Sequence, residues 1–108
     1  MKVFEDFSGK PVRLTDERLA HLSSSHPEMR NQLRKILQTL KNPDRVMRSR
    51  TNITVRLFYR FYKTTPVGAK HLCVVVKTLV NDYFVITAYF TDVIKRGDFL
   101  WTRTKARI

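Results

Sequence analysis

HLCVVVKTLVNDYFVITAYFT, running from His71 to Thr91, is the stretch on which the fold turns. Val, Ile, Tyr, Phe and Thr dominate it, the residues that suit a pleated, half-buried surface. Asn81-Asp82 interrupts the apolar run with side chains that tolerate φ > 0, which predicts a β-hairpin with its tight turn there. Pairing the strands symmetrically about residue 81 sets Leu72, Val74, Val76 and Thr78 opposite Phe90, Ala88, Ile86 and Phe84 on a face expected to be buried. The other face then carries His71, Cys73, Val75 and Lys77 opposite Thr91, Tyr89, Thr87 and Val85. An imidazole, an ammonium, a phenol and two hydroxyls are more chemistry than solubility requires, so this half-polar face is the expected working surface.

Upstream, Ile53 to Tyr62 alternates as a half-buried strand, with Ile53, Val55, Leu57, Tyr59 and Phe61 on one face and Arg56, Phe58, Arg60 and Tyr62 on the other. Sequential strands are usually neighbours, so Arg56, Arg60 and Tyr62 are expected to extend the patch of His71, Lys77, Thr87, Tyr89 and Thr91. Tyr59 is expected in the core, and Tyr62 and Tyr89 outside it. Val46 to Arg48 reads as a short strand, and Lys2 to Phe7 with Pro11 to Leu14 as a small edge hairpin around Ser8-Gly9.

Thr15, followed by Asp16 and Glu17, predicts a capped helix that buries Leu19, Leu22 and Ala20. Beyond Ser23 to Ser25, His26-Pro27-Glu28 opens a second helix with proline at its first position. Met29, Leu33, Ile36, Leu37 and Leu40 share one face of it, and Asn42-Pro43-Asp44 stops it. After Thr91, Asp92 to Lys95 suggests a helical turn, Gly97 a break, Phe99 to Thr102 a last strand, and Lys105 and Arg107 a basic tail. The fold class that follows is α+β: two N-terminal helices packed on one face of a four- to five-stranded antiparallel sheet, a single domain over residues 1–108.

The net charge of +12 implies an anionic partner, nucleic acid first among them, and +9 of it lies between Arg30 and Lys63, where Asp44 is the one acid. Arg30, Arg34, Lys35 and Lys41 form either a solvated helix face or a phosphate-contacting one. The single cysteine, Cys73, cannot form an internal disulfide and reads as packing, in keeping with a reducing compartment. No run reaches the roughly 18 apolar residues a membrane span needs, and the N-terminus has no signal-like stretch, so no membrane partner and a cytoplasmic setting are expected.

None of the nine carboxylates falls on the sheet's expected open face, and there is no HExxH, paired CxxC or glycine-rich phosphate loop, so neither a metal nor another cofactor is expected. An RNA phosphodiester brings its own nucleophile, the 2′-hydroxyl, and asks only for a base, an acid and donors for the charged phosphorane. Histidine, tyrosine, lysine and arginine supply all three. His21 and His26, five residues apart, either project from one corner as proton-transfer groups or serve as a boundary histidine and a helix cap. His71 reads as an exposed strand-start residue, and Trp101 as a boundary packer or a base-stacking surface.

RLTDERLAHLSSSHPEM (Arg13 to Met29), NPDRV (Asn42 to Val46), HLCVVVK (His71 to Lys77) and VITAYFTDVIKRG (Val85 to Gly97) together resemble a small phage- and toxin-associated family of the barnase, EndoU, colicin and RelE-type nuclease superfamily. The resemblance extends over nearly the whole chain. It implies metal-independent cleavage of RNA, with His21, His26, Lys77, Thr87 and Tyr89 as the expected catalytic set. Arg18 and Thr91 match the same motifs, and with Arg48, Arg50, Arg56, Arg60 and Tyr62 they make the expected RNA-binding set. An antitoxin or immunity protein is the further partner such a family suggests. The competing expectation is a non-catalytic nucleic-acid-binding protein, because two helices joined across Ser23 to Ser25 loosely resemble a helix-turn-helix.

Overall fold

The computed structural model describes residues 2–103, so the basic tail expected at Lys105 and Arg107 lies outside the described residues. Its strands are β1 (Lys2–Glu5), β2 (Pro11–Leu14), β3 (Arg45–Arg48), β4 (Val55–Tyr62), β5 (Lys70–Leu79), β6 (Asp82–Thr91) and β7 (Asp98–Thr102). Two short helices, α1 (Asp16–Ser25) and α2 (Leu33–Lys41), flank a 3₁₀ turn at Pro27–Met29.

All seven strands join one sheet in the order β1-β2-β6-β5-β4-β3-β7, which corrects the expected four- to five-stranded antiparallel sheet. The sheet is mixed, because β2 lies parallel to β6 through Val12 with Tyr83 and Arg13 with Phe84. The Arg13 guanidinium grips the Asp82 carboxylate through two hydrogen bonds of 2.8 and 2.9 Å, holding Asp82 below its ordinary pKa and pinning this pairing. Nothing in the local pattern of a four-residue strand specifies so distant a partner.

The hairpin forms as its composition dictates, with one shift. His71 to Val75 pair with Thr91 to Thr87 in the symmetric register, but a bulge between Val75 and Val76 leaves Ile86 unpaired. Val85 therefore turns to the helix side, where it is buried, and the two-residue turn falls at Val80-Asn81 instead of Asn81-Asp82. A bulge reverses the facing of every residue beyond it.

β4 departs further from expectation. Its register sets Leu57, Tyr59 and Phe61 beside Val75, Cys73 and His71, so Arg56, Arg60 and Tyr62 lie on the helix side, opposite the patch they were expected to extend. Both faces of β4 are apolar at their centre, so alternation alone cannot say which one the helices cover. Phe58 goes under them, fully buried, with the Phe7 ring edge-on at 6.0 Å. The Tyr62 hydroxyl reaches the Lys35 carbonyl at 3.1 Å and the Thr39 hydroxyl at 3.0 Å, and Arg60 donates to the Asn42 carbonyl at 2.6 Å. These residues dock α2 and its C-terminal turn.

Each helix buries one stripe on this face. Leu22 of α1, Met29 of the 3₁₀ turn, and Ile36 and Leu40 of α2 meet Val12, Leu14, Leu72, Val74, Val76 and Ala88 from the sheet. Ala20 and Leu37 are exposed, against expectation. Thr15 caps α1 as its position requires, its hydroxyl accepting the Arg18 N–H at 3.0 Å. The second helix begins at Leu33 and not at Pro27: the left-handed backbone of Asn31 (φ 62°) separates the 3₁₀ turn from α2. The likeness to a helix-turn-helix is correspondingly weak. Trp101 packs on Phe7, 4.8 Å between ring centroids, as a boundary residue.

Candidate active site

The sheet's helix-free face holds a second, smaller cluster. Met47, Leu57, Tyr59 and Cys73 form its buried floor, flanked by Val55, Val75, Tyr89 and Ile94. Above it lies an open cleft of about 420 Å³, bounded by Thr87 and Tyr89 of β6, by Ser49, Arg50 and Thr51 of the β3–β4 loop, and by Lys95 and Arg96.

Lys95 and Arg96 belong to the irregular segment between β6 and β7, where a helical turn was expected. This strap is tied down at three points. The Thr91 hydroxyl accepts the Val93 N–H at 3.0 Å, Ile94 packs on the floor, and the Lys95 N–H donates to the Tyr59 hydroxyl at 3.1 Å. At its far end Gly97 lies so close to β3 that a Cβ there would stand 2.6 Å from the Arg48 carbonyl oxygen. Gly97→Val should therefore push the strap off the sheet and lower stability by about 1–3 kcal/mol, the usual cost of forcing volume into a packed site. A urea melt indistinguishable from wild type would show that the strap has room to spare.

The strap sets the Lys95 ammonium over the Tyr89 ring, 5.7 Å from its centroid. Tyr89 is half-buried, and its hydroxyl is buried without a hydrogen bond among the described residues. Burial pushes the Tyr89 phenol well above its ordinary pKa, and the neighbouring Cys73 adds to the effect. Burial does the same to Tyr59 and raises the Cys73 thiol to about 11. At neutral pH these are a pair of phenols and a thiol, able to donate but not to act as bases or nucleophiles.

The raised thiol has a consequence for stability. Its stabilising share is complete below the unfolded pKa near 9 and is lost as pH rises through about 11, because the unfolded chain ionises first. The urea midpoint should therefore fall between pH 9 and 11, and fall less steeply in Cys73→Ala. Parallel pH profiles for the two proteins would contradict this.

His26 reaches the same place from the helix side. Proline at 27 disfavours helical backbone in the residue before it, so α1 ends with the His26 N–H on the Leu22 carbonyl at 2.8 Å, and the His26 carbonyl accepts from Met29 at 2.8 Å. Leu22 and Met29 are both buried, which fixes the imidazole between two anchors. Beyond the short β2 pairing, the 3₁₀ turn packs against β6, and the His26 ring lies 5.7 Å from that of Tyr89. Glu28 stands 3.8 Å from its Nδ1. The histidine thus works round the sheet edge, bringing a helical residue to the open face.

Of the expected catalytic set, Thr87 and Tyr89 line the cleft, and His26 meets the Tyr89 ring from beside it. Lys77 shares their face one pleat beyond Val75, beside Val55, outside the cleft. His21 is exposed on α1, and no contact among the described residues links it to the cleft. Of the expected RNA-binding set, Arg50 is on the rim, whereas Arg48 is paired with Asp98 at 3.2 Å and Thr91 shapes the strap. Arg18 borders a separate hollow with Arg13 and Phe84, and Arg56, over the Tyr83 ring, Arg60 and Tyr62 face the other way. Lys95 and Arg96 were overlooked, although a basic pair before a glycine, directly after the TAYFT strand, was signal enough.

Comparison with curated proteins and with solved structures returned no match. A family model described as phage-Barnase-EndoU-ColicinE5/D-RelE like nuclease2 matches residues 1–107, taking in the histidine turn, the hairpin and the strap alike. By that match the chain belongs to the phage-Barnase-EndoU-ColicinE5/D-RelE like nuclease2 family.

Proposed function

We propose that the protein is a metal-independent endoribonuclease that cleaves RNA by general acid–base catalysis at the His26–Tyr89 end of the cleft. The observation that carries this reading is one imidazole and one un-ionised phenol side by side at a rim bearing Arg50, Lys95 and Arg96. The RNA's 2′-hydroxyl attacks its own phosphorus as the P–O5′ bond breaks, its proton passing by way of His26 to the departing 5′-oxygen, so that a 2′,3′-cyclic phosphate and a 5′-hydroxyl remain. The Tyr89 ring stacks beside that imidazole and under Lys95, and the three cations offset the charge of the phosphorane. Thr87 supplies a hydroxyl to the strand. The groups gathered here, an imidazole, a phenol ring, an ammonium and two guanidiniums, are those that a route without metal uses.

A toxin or phage-derived effector acting in the cytoplasm, held in check by an antitoxin or immunity protein, is the setting that suits such an enzyme. Among the described residues no helix is long and apolar enough to cross a membrane. The test is end-labelled single-stranded RNA incubated with the protein in excess EDTA. Cleavage that leaves a 2′,3′-cyclic phosphate or 3′-phosphate is expected; intact RNA, or cleavage abolished by EDTA, defeats the proposal.

A further inference from the structure

The open face is not the alternating polar surface that solvent would tolerate. At Val55, Leu57 and Val75 its floor is aliphatic, and no helix covers it. An apolar floor with a polar rim is the usual form of a ligand seat. The rim here is cationic: Lys95 and Arg96 form no ion pair among the described residues, and Arg50 stands 3.5 Å from Asp98.

The β3–β4 loop, which also carries Arg50, completes the rim and is tied by its own side chains. The Ser49 and Thr51 hydroxyls lie 3.1 Å apart, and the Asn52 N–H donates to the Ser49 oxygen at 3.3 Å. The Asn52 carboxamide oxygen accepts from the Thr54 N–H at 3.1 Å and the Thr54 hydroxyl at 2.6 Å. Ser49 and Thr51 are therefore presented to the cleft as pre-ordered donors and acceptors, which lowers the entropy cost of using them.

We infer that this cleft seats one unpaired nucleotide of an RNA strand, its base on Val55, Leu57 and Val75, its edge read by Ser49 and Thr51, and its phosphate held by Lys95 and Arg96. The inference rests on the ribonuclease reading above and adds a substrate class, a strand with a splayed-out base. Aliphatic floor and cationic rim match the two halves of a nucleotide. A phosphate-tracking groove would need no such floor, and a base inside a duplex offers neither a free face nor a free Watson–Crick edge.

The test is fluorescence anisotropy with the full chain and labelled 2′-O-methyl octanucleotides, which lack the nucleophile and stay intact, with one abasic position moved along the strand. Affinity should drop about tenfold at one position, as when one base loses its contacts, and less than about twofold elsewhere. Val75→Phe, which fills the floor, should erase that difference. Arg96→Ala should keep it while lowering the slope of log K against log salt by about 0.7, one phosphate's worth on a single strand.

A flat abasic profile on the unaltered protein overturns the inference whether or not Val75→Phe folds. So does equal binding of a double-stranded RNA of the same length, or of poly-glutamate. Failure of the ribonuclease reading shows separately, as a protein that reads the base yet leaves ordinary RNA intact.

Discussion

Replacing His26 by alanine is expected to slow cleavage of single-stranded RNA at least ~100-fold, the lower end of what a positioned acid or base contributes. Its ring lies against that of Tyr89, 5.7 Å between centroids, and its backbone is held between two buried anchors that the substitution leaves in place. The loss should therefore appear in kcat with the melting curve little changed. His21→Ala, on an exposed position of α1, should fall within a few-fold of wild type. If the two variants exchange these behaviours, the proton-transfer group lies on the helix side and the cleft is only a binding surface.

Phe58→Ala is expected to cost about 3–5 kcal/mol, the range for removing a fully buried aromatic side chain. Against a total stability of about 5–15 kcal/mol for a domain of ordinary size, that removes from about a fifth to all of it. Phe58 is completely buried on the face that α2 covers, touching Phe7 edge-on, and lies in the larger of the two apolar clusters. Phe61, three residues on and nearly half exposed on the opposite face beside His71, should cost far less when truncated. Urea melts of the two variants decide between the faces of β4. Equal losses would mean that the helices do not preferentially cover the Phe58 side.

The comparison matters because β4 is where sequence reading failed. Its two candidate faces, Leu57-Tyr59-Phe61 and Phe58-Arg60-Tyr62, are each apolar enough to be buried, so alternation does not say which of them meets the helices. In the structure, Arg60 and Tyr62 instead satisfy backbone carbonyls at Asn42 and Lys35, a use of polar groups that only a docked helix creates. The strap failed for a related reason. Lys95 and Arg96 earn their place through the Tyr59 hydroxyl and the tight approach of Gly97, contacts between segments far apart in the chain.

Period-two alternation determined by itself that Cys73 and Val75 would share a face with Tyr89 and Thr87, because pleating sends neighbours to opposite sides whatever lies around them. Capping chemistry likewise placed the start of α1 at Thr15, since a cap acts within one turn of chain. Which face the helices took, the parallel seat of β2 on β6, the bulge at Ile86 and the meeting of His26 with Tyr89 were decided only by tertiary structure. Local pattern sets the direction a side chain points; what it meets there depends on the packing of distant segments, settled only when the whole core closes.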